Sequence, residues 1–353
     1  MGLFELEVPV PTTPRPTPTT PETPRTTTTT PTTRSSTSTP RRPFRLGVLI
    51  WNQYTDWPAF RDIGARADKL GYDQLWTWDH LYPIFGSPDG PMLEGYIALA
   101  GWAAVTEHAT LGLMVGANTF RNPGLVVKAI TTLDHVSDGR AVLGIGGAWF
   151  ETEHTAFGID FGTGIGDRLN RLDEAVELMR GMLRGERASA RGTYYEAQSV
   201  RNDPRPIQPH LPIVIGGAGE QKTLRTVAKY ADMWNVANVD SEQAAHKVEI
   251  LRAHCADIGR DPSEIEMSIS LGATLIRDDP AEADRIIAGI QKHNGEMTRP
   301  ILHGSADQLA DRIRAYQAVG FTNVLYHLAA PFDDETLERF IGEVKPQVTG
   351  THA

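Results

Sequence analysis

The sequence predicts an α/β chain folded as a (β/α)8 barrel of the TIM type, and three observations carry that expectation. First, Leu111–His154 reads as one complete parallel strand–helix–strand unit. An apolar run (Leu111–Val115) ends in Gly116, a Pro-started amphipathic segment (Pro123–Val136) follows, and after a Ser-Asp-Gly-Arg turn a second apolar run (Ala141–Ile145) ends in Gly146 and Gly147. Second, the same alternation recurs until eight units fill about 300 residues, the size of such a barrel with insertions. Third, no break divides the eight units into two halves, which favours closure over an open doubly wound sheet.

Each element follows from local chemistry. Arg45–Trp51 is the first strand. Pro58–Leu70 is a helix that Gly71 closes, because glycine adopts the left-handed backbone of a C′ position. Asp73–Trp78 is the second strand and Glu94–His108 its helix. The unit described above supplies strands three and four. Asp167–Leu183 is the fourth helix, with Leu169, Leu172, Val176, Met179 and Leu183 at helical spacing. Pro212–Ile215 is strand five, ending in Gly216-Gly217-Ala218-Gly219, and a helix runs on to Tyr230. Asp232–Ala237 is strand six and Ser241–Ile258 its helix. Glu266–Leu275 is strand seven, with helices near Ala281–Lys292 and Ala306–Val319. Thr322–His327 is strand eight, and Asp334–Val344 is the last helix.

The composition suits one large catalytic-sized domain over 44–353: 353 residues in all, 40% hydrophobic and 22% charged. A net charge of −10 argues against nucleic acid and anionic membrane as partners. No apolar run reaches the roughly 18 residues of a membrane helix. The lone Cys255 cannot form an intrachain disulfide and reads as a packed small residue, in keeping with a cytoplasmic protein. Residues 1–43 stand apart. Thr and Pro fill 23 of the 30 positions from Pro11 to Pro40, so this extension has almost nothing apolar to bury and should be disordered. Met1–Val10 carries Glu5 and Glu7 and has no apolar core of a signal peptide.

In barrels of this kind the carboxyl ends of the strands carry the chemistry. Strand two ends in Trp76-Thr77-Trp78-Asp79-His80. A histidine there, oriented by the neighbouring carboxylate, would exchange a proton near neutral pH, and a satisfied polar pair is the plain alternative. His154 with Glu151 and Glu153 lies on one short loop after strand four and reads as solvated or structural; no metal site is expected. Gly144-Ile145-Gly146-Gly147-Ala148-Trp149 fails as a dinucleotide fingerprint, since Trp149 stands at the third glycine position. The Gly216–Gly219 turn is better placed, because its N–H groups and the following helix dipole can hold a phosphate. Glycines at adjacent strand ends also let a backbone approach a flat ligand.

Taken together, these residues resemble the luciferase-like monooxygenase superfamily, and within it the oxidoreductases that use the deazaflavin coenzyme F420. The likeness rests on Leu75-Trp76-Thr77-Trp78-Asp79-His80-Leu81, Thr119-Phe120-Arg121-Asn122-Pro123 and Leu133-Asp134-His135-Val136-Ser137-Asp138-Gly139-Arg140. It continues through Leu143-Gly144-Ile145-Gly146-Gly147-Ala148-Trp149-Phe150-Glu151, Ile215-Gly216-Gly217-Ala218-Gly219-Glu220 and Ala231-Asp232-Met233-Trp234-Asn235, and covers about Phe44 to Ala330.

The resemblance implies a cofactor across the strand mouths, with its phosphate at Gly216, Gly217, Ala218 and Gly219. It implies a non-proline cis peptide at the end of strand three, Met114-Val115 or Val115-Gly116, behind the ring. Gly146, Gly147 and Trp149 would line the ring edge and side chain. Asp79 and His80 match the catalytic pair near the reactive carbon, and the Asp-His form tilts the cofactor toward F420 over FMN. Trp51 and Trp78 would wall the substrate pocket, with ordinary barrel packing as the alternative. Leu81–Pro91 and Arg187–Gln208 are lid candidates. The strand-four end carries Trp149-Phe150 in place of the acid–amide pair of sugar-phosphate-oxidising relatives. The expected activity is F420-dependent hydride transfer to or from a small organic substrate. The alternatives are a monooxygenase using reduced FMN and a non-catalytic flavin-binding barrel. A reductase supplying reduced cofactor is an expected partner, and a homodimer is open.

Overall fold

The computed structural model describes residues 42–350 apart from 296 and 298. The disordered extension expected over 1–43 therefore lies outside the described residues, save for its last two. Of these, Arg42 donates to the carbonyls of Ser263 and Glu264.

In chain order the elements are β1 (Arg45–Ile50), α1 (Trp57–Leu70), β2 (Gln74–Thr77), α2 (Gly95–Ala103), β3 (Thr110–Leu113), β4 (Gly116–Ala117), α3 (Pro123–Val136) and β5 (Ala141–Gly146). Then come α4 (Glu151–Phe157), α5 (Ile165–Leu183), β6 (Ala188–Arg191), β7 (Glu196–Val200), β8 (Ile213–Gly216), α6 (Thr223–Tyr230), β9 (Met233–Ala237) and α7 (Ser241–Asp257). The chain closes with β10 (Glu266–Ile276), α8 (Pro280–Asn294), β11 (Leu302–Gly304), α9 (Ala306–Ala318), β12 (Asn323–Leu328), α10 (Asp334–Arg339) and α11 (Lys345–Thr349).

Strands β1, β2, β3, β5, β8, β9, β10 and β12 each pair in parallel with the next, and β12 returns to β1. The expected (β/α)8 barrel is thus a closed ring of eight parallel strands. Alternation along each strand sorts the core into two layers. Val48, Ile50, Leu143, Ile145, Ile213 and Tyr326 face the helices with Phe60, Trp102 and Phe340. Their strand neighbours Leu49, Val142, Val214 and Leu325 face inward with Trp51, Trp76 and Met233.

Caps set the helix ends. Asp56 accepts from the Ala59 amide at the start of α1, and Gly71 ends it with φ 93°. Capping boxes open α7 (Asp240 with Gln243) and α9 (Ser305 with Gln308). The second helix stops at Ala103, short of the expected His108, and the cause is visible. The buried carboxylate of Asp68 accepts from the amides of Glu107, His108 and Ala109, which draws these residues into a loop. The expected last helix is also interrupted. A wide π-type turn spans Phe340–Val344, and the Phe340 ring stacks on Tyr326 with centroids 3.9 Å apart. Cys255 is fully buried, as a packed small residue should be. Among the described residues, no helix is long and apolar enough to cross a membrane.

Candidate active site

The strand-two end supplies the titratable groups, though not in the expected pairing. Asp79 and His80 are neighbours in sequence but face different partners. His80 Nδ1 lies 2.9 Å from Glu153 Oε1, and the second oxygen of Glu153 accepts from the Leu81 amide at 2.8 Å. Glu153 comes from the first turn of α4 and is 1% exposed. Each of its two oxygens thus goes to fixing the imidazole or the chain beside it. The carboxylate that orients His80 is therefore Glu153, and Asp79 does not have that role.

Asp79 instead meets Arg121, which donates two bonds to it at 2.7 and 3.0 Å and a third to Glu94 at 2.6 Å. The Tyr96 ring lies 4.9 Å from the same guanidinium. Burial alone would lower the Arg121 pKa, but the Asp79 carboxylate outweighs it and holds arginine above its usual range. Asp79 also accepts from the Ala117 amide at 2.8 Å, so this ion pair anchors the end of strand three. Of the loop cluster after strand four, His154 has the structural role expected of it, sitting 2.6 Å from the Thr119 hydroxyl and 2.8 Å from the Phe150 carbonyl.

The Met114–Val115 peptide is cis, at the first of the two bonds anticipated. The strand-end glycines have a different immediate purpose from the one expected of them. A Cβ on Gly146 would lie 2.8 Å from a Val115 methyl, and a Cβ on Gly216 would lie 2.8 and 2.9 Å from both. These two glycines make room for the Val115 side chain, which becomes the floor of the mouth between β5 and β8. Gly116 is close to the Gly144 carbonyl, and Gly147 to Leu169.

The turn after β8 differs from expectation too, since α6 begins at Thr223 and not directly after Gly219. Gly217 and Gly219 fold tightly over Thr223, and the Gly217 amide is engaged by the Asn235 carbonyl. Among the described residues, the amides of Ala218 and Gly219 meet no acceptor.

Aromatic side chains fill the opposite half of the mouth. Trp51 packs 4.8 Å from Trp78 and stacks on Phe85, also at 4.8 Å. Both expected wall residues are thus brought together, with Phe85 added from the Leu81–Pro91 segment. Gln53 holds that segment by accepting from the Ile84 amide and donating to the Phe85 carbonyl. Trp149 is 61% exposed, yet its ring centroid lies 5.6 Å from that of His80. The Arg187–Gln208 insertion contains an antiparallel hairpin of β6 and β7. The Glu174 carboxylate fastens it by accepting from the Thr193, Tyr194 and Tyr195 amides, and the Tyr195 hydroxyl accepts from Asn118.

Several buried polar atoms at the strand ends lack a partner: Trp51 Nε1, Asn52 Oδ1, Asn118 Oδ1 and His327 Nε2. Buried polar atoms are rarely left so. A polar, flat heterocycle over Val115 would fit these residues, with an open indole at its edge and free amides at the β8 turn.

A luciferase-like monooxygenase family profile matches residues 27–298. An uncharacterized protein of Mycobacterium tuberculosis is 32% identical over 171 residues, which is 48% of this chain and 58% of that protein, so the chain spans little more than half the length of that relative. A protein of Intrasporangium calvum named F420-dependent glucose-6-phosphate dehydrogenase is 29% identical over 325 residues, 82% of this chain and 94% of the relative. Among solved structures, an F420-dependent secondary alcohol dehydrogenase bound to an F420–acetone adduct has a TM-score of 0.74 at 17% identity, covering 87% of this chain and 99% of that one. A long-chain alkane monooxygenase has a TM-score of 0.72 at 15% identity, covering 88% and 93%. The two structures share this chain's fold while differing in chemistry, as barrels do. The profile match runs from ahead of β1 to beyond α8, and this chain belongs to the luciferase-like monooxygenase family.

Proposed function

We propose that the chain is an oxidoreductase that binds coenzyme F420 across the ends of strands three to five of the barrel and acts on a small organic substrate. The observation that carries this is the His80–Glu153 pair beside an open indole and a cleared floor. A proton-handling group is held rigidly where a flat cofactor would lie. F420, when bound, exchanges a hydride at C5 and does not readily activate oxygen.

The chain's own residues then have defined tasks. Val115, seated between Gly146 and Gly216, would hold the ring together with Met114. The Ala218 and Gly219 amides, with the start of α6, hold the phosphate. Trp149 covers the ring edge. His80, with Nδ1 engaged by Glu153, would present Nε2 to the substrate and give or take one proton there. Asp79 is a positioning residue that acts through Arg121 and the Ala117 amide. Trp51, Trp78 and Phe85 exclude water from the reacting centre. Relatives named as F420-dependent support this cofactor. The same mouth would also accept reduced FMN in a monooxygenase, working with a flavin reductase.

Titration of the purified protein with F420 and with FMN, followed by tryptophan quenching, separates these readings. The expected result is F420 binding in the micromolar range or tighter, with FMN clearly weaker. Preference for reduced FMN, with oxygen uptake when substrate is added, would establish the monooxygenase. Failure to bind either would leave a barrel without redox function.

A further inference from the structure

The aromatic half of the mouth contains a group with no assigned task. His327 lies near the end of β12, where alternation with Leu325 turns it inward. Its Nε2 is closed off from solvent and unpartnered. Its ring stands edge-on to Trp78, with centroids 5.9 Å apart at 82°. His80 addresses the same indole at 6.4 Å and 82°. Trp78 is therefore flanked by two imidazoles, one fastened by Glu153 and one without a hydrogen bond.

The cluster that holds Trp78, the ring against His327, is apolar. Trp51, Trp78, Met114 and Leu49 line the interior, and Ile286 and Ile287 of α8 pack against the same cluster. The charged groups of the strand-two and strand-three ends are already matched, Glu153 to His80 and Asp79 to Arg121. A charged substrate entering here would lose its hydration, and the cation that acts on His327, Arg299, stands exposed to solvent. Burial, helped by the Arg299 guanidinium, pushes the His327 pKa down to about 3, so the ring is neutral at any ordinary pH. A neutral imidazole offers one donor and one acceptor, which suits an uncharged oxygen function.

Building on the oxidoreductase reading above, we propose that the substrate is an uncharged, mainly apolar molecule seated against Trp51, Trp78 and Phe85. One of its oxygens is hydrogen-bonded by His327, which selects the substrate. Phosphorylated sugars are excluded.

The test uses the full-length protein without cofactor, so that it does not depend on F420. Saturation-transfer NMR measures binding of cyclohexanone, of methylenecyclohexane as its oxygen-free isostere, and of glucose 6-phosphate. The expected result is saturable cyclohexanone binding, about three- to tenfold tighter than the isostere, as one net hydrogen bond gives. Glucose 6-phosphate should not compete. In His327→Phe, and in His327→Leu as a second variant, the preference should fall to about one while the isostere still binds. A preference kept in the folded variants would overturn the role of His327. Tighter binding of glucose 6-phosphate to the wild-type protein, lost in Arg299→Ala, would overturn the substrate class whether or not the variants fold. Failure of F420 to bind in the separate titration would sink the cofactor and leave this result standing.

Discussion

His80 and Glu153 are 73 residues apart in sequence and 2.9 Å apart in space, Nδ1 to Oε1. The bond joins the end of strand two to the short helix after strand four. It leaves one ring nitrogen directed and the other available, as an acid–base imidazole requires.

Removing either partner should therefore damage rate more than affinity. His80→Ala should lower turnover by roughly 10²–10⁴ while F420 affinity stays within a few-fold. Glu153→Gln keeps the shape and weakens the fastening, so the expected loss in kcat is roughly 10- to 100-fold with little change in KM. Steady-state kinetics with any promiscuous substrate suffices, since only ratios matter. A folded, F420-saturated His80→Ala protein with unchanged turnover would end the proton-transfer assignment.

Arg121 is predicted to matter for stability first. Arg121→Ala leaves the Asp79 carboxylate buried without a counter-charge, which should destabilise by about 3–5 kcal/mol. Urea unfolding of Arg121→Ala, Asp79→Ala and the double variant should show strong non-additivity, with the double variant less damaged than the sum of the two. Simple additivity would mean that the pair is not coupled.

Acid should act partly through His327. Its folded-state pKa, near 3, lies below the ordinary histidine value of 6.5, so the unfolded chain binds the proton more readily. Stability from this group is complete above pH 6.5 and declines as pH falls from there toward 3. Relative to wild type, His327→Phe should become progressively more stable as pH falls across that window. A pH-independent difference, measured by urea unfolding at several pH values, would contradict the burial of a neutral ring.

Two glycines that look alike should behave differently on gaining a methyl. In Gly216→Ala the three atoms nearest the new Cβ all belong to the Val115 side chain, so Val115 moves and F420 binding weakens by about tenfold in a folded protein. In Gly144→Ala the Cβ falls 1.8 Å from the Leu113 carbonyl oxygen. Backbone in a barrel strand cannot yield that far, and the protein should not accumulate in folded form. Circular dichroism and F420 titration distinguish the two outcomes.

The barrel was legible because its signal is local. Apolar runs, amphipathic helices and strand-end glycines each declare themselves within a dozen residues. The elements that were missed have no such signal. The helix α4 buries only Glu153 and His154, and the β6–β7 hairpin is largely exposed. Glu153 looked like a solvated charge because its partner lies far away in the chain. Adjacency suggested an Asp79–His80 pair, although successive residues of an extended chain turn to opposite sides. Arg121 has no carboxylate near it in sequence to mark it as half of an ion pair, and nothing local to His327 marks its ring as buried without a partner.

The fastening of the β6–β7 hairpin by Glu174 has an architectural consequence. One carboxylate on α5 receives the three successive amides Thr193, Tyr194 and Tyr195 at the hairpin's turn. Main-chain donors are indifferent to side-chain identity, so this clasp tolerates replacement of the residues it grips, proline apart. The strands of the hairpin are free to diversify while its turn stays docked. The hairpin is thus a cassette, clasped at its turn and joined to the mouth by the Tyr195–Asn118 bond, while the chain that follows it is held separately to α3 through Asn202–Thr131 and Gln208–Asp134. Exchanging it among barrels that keep Glu174 and Asn118 would redraw the rim without rebuilding the scaffold.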